Sequence, residues 1–188
     1  MSDSQWIDQL YANDLLSESS NMVQKLAKRY NRNSNKVPQP KQTLKVALLS
    51  GFTIDFLADL LPLMFFRHGF VIELYKGGYG DIVSDLLISK SKLHEFKPDL
   101  VIVLPTHRDL VFFPSLGSTH GEYTTALQEE LAVWQSVWNS VSIPIIQLSF
   151  DPPSNRPLGE LDGYVAGGLL DYVRQINRLL VDNAPTHV

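Results

Sequence analysis

Three short apolar runs rich in Val, Ile and Leu, at 44–49, 70–75 and 99–104, constrain this chain more than any other feature. Each is apolar at consecutive positions rather than at alternate ones. A strand of that kind is buried on both faces, as happens in a parallel sheet covered by helices. Parallel neighbours need a long crossover, and the segments between the runs carry helical spacing. After the first run, Ile54, Leu57, Leu61, Met64 and Phe65 form one apolar face. Thr53 is placed to cap that helix, Pro62 to kink it and Gly69 to stop it. Gly77, Gly78 and Gly80 predict a turn into a helix near 81–89, and Lys97-Pro98-Asp99 introduces the third strand.

Farther along, 105–120 holds no clear element and reads as a surface loop. Tyr123, Leu127, Leu131, Trp134, Val137, Trp138 and Val141 then recur at helical spacing, and the two tryptophans share a face expected to pack on the sheet. Residues 145–150 predict a fourth strand, and Val165, Leu169, Tyr172, Val173, Ile176 and Leu179 mark a last helix over 164–182. The expected class is α/β, a three-layer doubly wound, mostly parallel sheet with an N-terminal helical extension. In that extension, Trp6, Leu10, Leu15, Leu16, Met22, Val23, Leu26 and Tyr30 predict one or two amphipathic helices, with a break near Ser17, Ser19 and Ser20. The division follows as extension 1–30, exposed linker 31–43 with its two prolines, and sheet domain 44–188. No fifth strand follows the last helix, where many doubly wound domains have one, so the sequence leaves open whether the natural chain continues past Val188.

Composition removes several function classes. The net charge of -4 and pI near 5.7 speak against a nucleic-acid partner. The chain has no cysteine, which excludes disulfides, thiolate metal sites and thiol nucleophiles. Its start, MSDSQW, lacks the basic and apolar regions of a signal peptide, and no apolar run approaches the roughly 20 residues of a membrane span. A cytoplasmic protein without membrane contact is the expectation.

In open parallel sheets, ligands collect outside the carboxyl ends of the strands. That rule gathers Ser50-Gly51-Phe52-Thr53, Gly77-Gly78-Tyr79-Gly80-Asp81, Thr106-His107-Arg108-Asp109, and Asp151. Ser50 as nucleophile, His107 as base and Asp151 or Asp109 as orienter form the candidate catalytic set. Thr53, Gly78, Tyr79, Asp81, Thr106, Arg108 and Asp109 are the candidate ligand contacts. The GGYG turn has neither the G-x-G-x-x-G spacing nor the Walker lysine, so no nucleotide fingerprint is present. His68, His94 and His120 are scattered without a paired-ligand spacing, and no metal site is expected.

Three segments, LKVALLSGFTIDFLADLLPLMFFRHGFVIELYKGGYGD, SKLHEFKPDLVIVL and IPIIQLSFDPPSNRPLGELDG, cover most of 44–163. In that order they resemble the N-terminal domain of FkbH-like proteins. These are phosphatase-like enzymes of the HAD superfamily in polyketide pathways, which place a glyceryl unit on an acyl carrier protein. The resemblance implies a flavodoxin/SGNH-like fold, an acyl carrier protein as partner and a downstream phosphatase-like domain. It implies no cofactor in this chain, since magnesium and the D-x-D-x-T aspartates belong to that other domain, and no D-x-D-x-T is present. SGNH hydrolases carry a G-D-S motif after the first strand, where this chain reads Ser50-Gly51-Phe52, so Phe52 stands in the nucleophile's place. The G-x-N-D asparagine and the late D-x-x-H pair have no counterpart either. The resemblance therefore implies an accessory, non-catalytic domain. The alternative is an SGNH-like esterase, thioesterase or acyltransferase with a displaced serine nucleophile at Ser50.

Overall fold

The computed structural model describes residues 8, 15, 17–38 and 40–188. Four strands, β1 (Gln42–Ser50), β2 (Phe70–Tyr79), β3 (Leu100–Leu104) and β4 (Ile145–Gln147), form one all-parallel sheet in the order β2-β1-β3-β4. In register, Val46 lies opposite both Leu74 and Leu100, Leu48 opposite Ile102, and Val103 opposite Gln147. Helices flank both faces, in the manner of a flavodoxin-like three-layer fold. α2 (Asp55–Arg67) lies on one face. The short helices α3 (Ile82–Leu87) and α4 (Lys92–Phe96), with the long α5 (His120–Asn139) and α6 (Leu169–Asn183), lie on the other.

The period-2 alternation of side chains explains why consecutive apolar residues were needed. On β1, Ala47 and Leu49 enter the main core with Val101, Val103 and Ile145, against Ile82, Leu86 and the inner faces of α5 and α6. Leu48 points the other way, into a smaller cluster with Ile54 and Leu104, against Leu57 and Leu61 of α2. Trp134 and Trp138 are both buried in the main core, where Trp134 meets the Phe150 ring edge-on at 5.2 Å. Such side chains contribute about 3–5 kcal/mol each against truncation to Ala.

The N-terminal helix docks on the body. α1 (Ser20–Asn33) begins at the expected serine break, with Ser19 as cap accepting from the Met22 amide. Val23, Leu26, Ala27 and Tyr30 pack on Leu63 and Phe66 of α2, the Tyr30 and Phe66 rings lying 4.8 Å apart. Leu15 joins that cluster, while Trp6, Leu10 and Leu16 of the predicted helix lie outside the described residues. The stretch expected as linker is shorter than 31–43. Residues 31–33 complete α1, Ser34–Lys36 forms a 3-10 turn, and Val37 is buried against the same cluster.

Several element ends differ from expectation. Thr53 does not cap α2: the cap position is Ile54, which offers no side-chain acceptor. Asp55 in the first turn supplies the negative charge there, and it pairs with Lys76 of β2. Gly69 does end α2, with φ +87. The glycine turn begins later than predicted, because β2 runs through Gly77 and Gly78 and only Gly80 has positive φ, at +73. A Cβ on Gly77 would lie 2.6 Å from Leu49 Cδ2, so glycine there permits close packing within the sheet. β4 ends at Gln147 rather than at 150, and the last helix starts at Leu169, after a 3-10 turn at Gly159–Gly163.

Candidate functional site

The first crossover carries the chain from β1 to β2 on one side, and the second returns it to β3 on the other. Such a reversal opens a crevice at the carboxyl ends of the two central strands. Here the Gly51 amide reaches Leu104 O at 3.1 Å and the Gly80 amide reaches Ser50 O at 3.2 Å, which fixes the floor. Above it lies a cleft of about 490 Å³. Phe52, Tyr79, Leu104 and Leu148 give it apolar walls, and Thr106, His107, Arg108, Ser149, Ser154 and Asp151 give it polar ones.

The residues after β3 form a built turn rather than a free loop. Thr106 caps the 3-10 helix His107–Asp109, donating its amide (2.7 Å) and hydroxyl (2.9 Å) to Asp109 Oδ2, while Arg108 N donates back to Thr106 Oγ1. Asp109 presses against Gly51, where a Cβ would meet its carboxylate at 1.8 Å. Farther on, Glu130 of α5 is fully buried. Its Oε2 accepts from the amides of Val111 (2.8 Å) and Phe112 (2.9 Å), and its Oε1 accepts from Trp134 Nε1 (3.0 Å). The two amide bonds tie the loop after β3 to α5, and the indole bond, within α5, holds the carboxylate in place. Neighbouring Phe113 lies over Tyr172 and, with Pro114, walls a second cleft of about 490 Å³ that shares His107 and Arg108 with the first.

Two loops deliver the central pair. His107 donates its backbone amide (2.8 Å) to Asp151 Oδ1, and its Nδ1 lies 3.1 Å from the same oxygen. An ionised carboxylate only accepts, so Nδ1 carries the proton and Nε2 is left as the basic nitrogen. Burial alone would raise the Asp151 carboxyl, but the bonds from the His107 amide and ring outweigh it and hold the pKa below its ordinary value. Asp151 is itself held from behind. Asn177 of α6 brackets Phe150, accepting from its amide at 2.8 Å and donating to its carbonyl at 2.9 Å.

Ser50 does not complete a triad. It is buried, and its Oγ accepts from Phe52 N at 3.0 Å, with no hydrogen bond to His107 among the described residues. Together with Thr53 and Gly78 it lines an adjoining small cleft of about 190 Å³, which shares Phe52 and Tyr79 with the larger one. Tyr79, Thr106, Arg108, His107 and Asp151 share the larger cleft, whereas Asp109 is turned onto Thr106, and exposed Asp81 precedes α3 without capping it. Among the described residues, no three His, Asp or Glu side chains are arranged to hold a metal ion, and no helix is long and apolar enough to cross a membrane.

A family model described as FkbH, N-terminal domain, matches residues 45–187, which takes in all of the sheet but the first three residues of β1, and both loops of the central pair. The chain belongs to the FkbH N-terminal domain family. Among solved structures, this FkbH domain is similar to the N-terminal part of the protein BF1531 from Bacteroides fragilis, which contains a phosphatase domain and is complexed with Mg. The TM-score is 0.68 at 16% identity, over 90% of this chain and 43% of that one. It is also similar to BT4096, a gut microbial diltiazem-metabolizing enzyme, with a TM-score of 0.51 at 15% identity, over 80% of this chain and 36% of that one. At those identities the likeness is one of fold, and the chain spans less than half the length of either structure. No curated protein matches.

Glu130 and Asn177 were not anticipated from sequence, and neither was the turn at 107–109. Signals for two of the three are present. Thr106-x-x-Asp109 has a capping-box pattern, and Glu130 is a charge within the apolar stripe of α5.

Proposed function

We propose that this chain is the accessory domain of an FkbH-like protein that loads a glyceryl unit onto an acyl carrier protein in polyketide biosynthesis. Its cleft receives the acyl end of the carrier's arm and holds it without taking it onto the chain. The observation that carries this reading is the state of Ser50. With its hydroxyl withdrawn to Phe52 N, His107 has no covalent nucleophile hydrogen-bonded to it among the described residues. The rim supports a partner as well: Tyr79 (70% exposed), Leu148 (54%) and Phe52 (45%) leave apolar surface open at one mouth. In this reading the transfer chemistry and its magnesium belong to a phosphatase-like domain, as carried by the similar Bacteroides fragilis protein.

The test mixes the chain with a carrier protein whose glyceryl group is joined through an amide, so that nothing can be cleaved, and weighs the products by native mass spectrometry. A one-to-one complex that Leu148→Asp weakens is expected. Absence of a complex, or one indifferent to Leu148→Asp, refutes the holding role.

A further inference from the structure

We propose that His107 and Asp151 form a general-base couple that hydrolyses small esters and thioesters in this cleft with water, rather than a side chain, as the nucleophile. The inference goes beyond the holding role and borrows from it only the acyl nature of the ligand.

The geometry supplies each part. Asp151 Oδ1 takes both the amide and the ring Nδ1–H of His107, which fixes the tautomer and the ring together. Nε2 has no partner among the described residues, and the ring is largely enclosed, with 16% of the side chain exposed. Hydroxyls are near but not engaged: Thr106 Oγ1 is taken by Asp109 and Arg108 N, and neither Ser149 nor Ser154 is bonded to the imidazole. A base with an oriented ring and no protein nucleophile is suited to a solvent molecule. Arg108 lines the same cleft, and its guanidinium has no hydrogen bond or ion pair among the described residues, leaving it to receive the oxygen of an attacked carbonyl. The two partners come from loops after β3 and β4, each anchored to a helix through Glu130 or Asn177. That makes the pair preorganised rather than incidental.

The step balances without a further reagent. The water oxygen bonds to the acyl carbon as one of its protons passes to Nε2. The bond from carbon to the ester oxygen or thioester sulfur then breaks, and the leaving group takes that proton from Nε2. The products are the free acid and an alcohol or thiol, and nothing is oxidised or reduced.

The test uses the full chain with the acetyl thioester of N-acetylcysteamine in water enriched in oxygen-18. Released thiol is followed with a disulfide reagent, which is unambiguous because the chain has no cysteine. Expected are turnover, one label in the released acetate, and no acetylated chain by mass spectrometry. His107→Ala should lower the rate by about 10²-fold or more, and added imidazole should restore part of it, which repair of a purely structural defect would not do. Asp151→Asn should lower the rate while keeping an acceptor for the His107 amide, and Ser50→Ala should leave it within about twofold. No turnover above the His107→Ala background, an acetylated side chain, or loss of activity in Ser50→Ala overturns the inference. A carrier complex without turnover leaves the holding role standing and removes only this one; turnover without a complex does the reverse.

Discussion

Glu130→Gln is the substitution that tests how the site is held. The carboxylate serves three donors from the centre of α5: the amides of Val111 and Phe112 on one oxygen and the Trp134 indole on the other. Glutamine has nearly the same shape but only one acceptor oxygen. Its less costly orientation keeps the oxygen on the two amides, so two charge-assisted bonds become neutral ones, each worth roughly half as much. The NH₂ group then faces Trp134 Nε1, leaving a buried donor unpaired at about 1–3 kcal/mol. A total near 3 kcal/mol follows, or a fall in Tm of roughly 6–12 °C for a chain of this size. Thermal unfolding by circular dichroism gives the number, and hydrogen exchange at Val111 and Phe112 locates it, since both amides should exchange faster. Glu129→Gln, on the exposed side of the same turn, should change Tm by less than about 2 °C. If Glu130→Gln also stays within that margin, or if the two amides keep their protection, the buried carboxylate is not what anchors the loop.

Three further outcomes are expected. Gly51→Ala places a methyl 1.8 Å from Asp109 Oδ2, so the Thr106 cap must open. The loss should be about 1–2 kcal/mol by urea denaturation, whereas Gly121→Ala, with nothing within 4 Å of its Cβ, should be neutral or stabilising. Asn177→Ala removes both bonds to Phe150 and should cost about 2 kcal/mol with faster exchange at the Phe150 amide; unchanged exchange there would show that α6 does not hold the Asp151 loop. Burial and then the Asp85 carboxylate push the Tyr75 phenol up to about 12. Its contribution to stability is therefore intact below about pH 10, the ordinary tyrosine value, and is lost as pH rises through the native one. Urea midpoints measured across that window should fall less steeply in Tyr75→Phe, and equal slopes would exclude Tyr75 as a cause.

The sheet was legible because burial on two faces leaves a plain mark: 44–49, 70–75 and 99–104 all became parallel strands. The ends of elements were less legible, since they depend on neighbours distant in sequence. Gly77 looked like turn chemistry, but its missing side chain makes room for Leu49 of the adjoining strand, a contact no local pattern displays. Topology gathered the candidate residues at one sheet edge, and the set Ser50, His107 and Asp151 or Asp109 contains the His107–Asp151 pair that the fold brings together. What no local pattern displays is that the Ser50 hydroxyl accepts from Phe52 N and stands apart from that pair.

Glu130 leaves a mark of its own in the sequence. Tyr123, Leu127, Glu130, Trp134 and Val137 follow one another at intervals of four, three, four and three, so the acid occupies a core position on α5. A buried carboxylate is tolerable only with several donors, and a helix interior has no free amides to give. The donors had to come from irregular backbone passing close by and from a tryptophan one turn away. The segment 110–119, between the 3-10 turn at His107–Asp109 and the start of α5, is the nearest supply of such amides in the sequence. Read that way, an acid in an apolar stripe predicts that the loop after β3 is fastened to α5. His107 lies three residues before Leu110, the first buried leucine of that loop, and four before the Val111 amide that Glu130 holds.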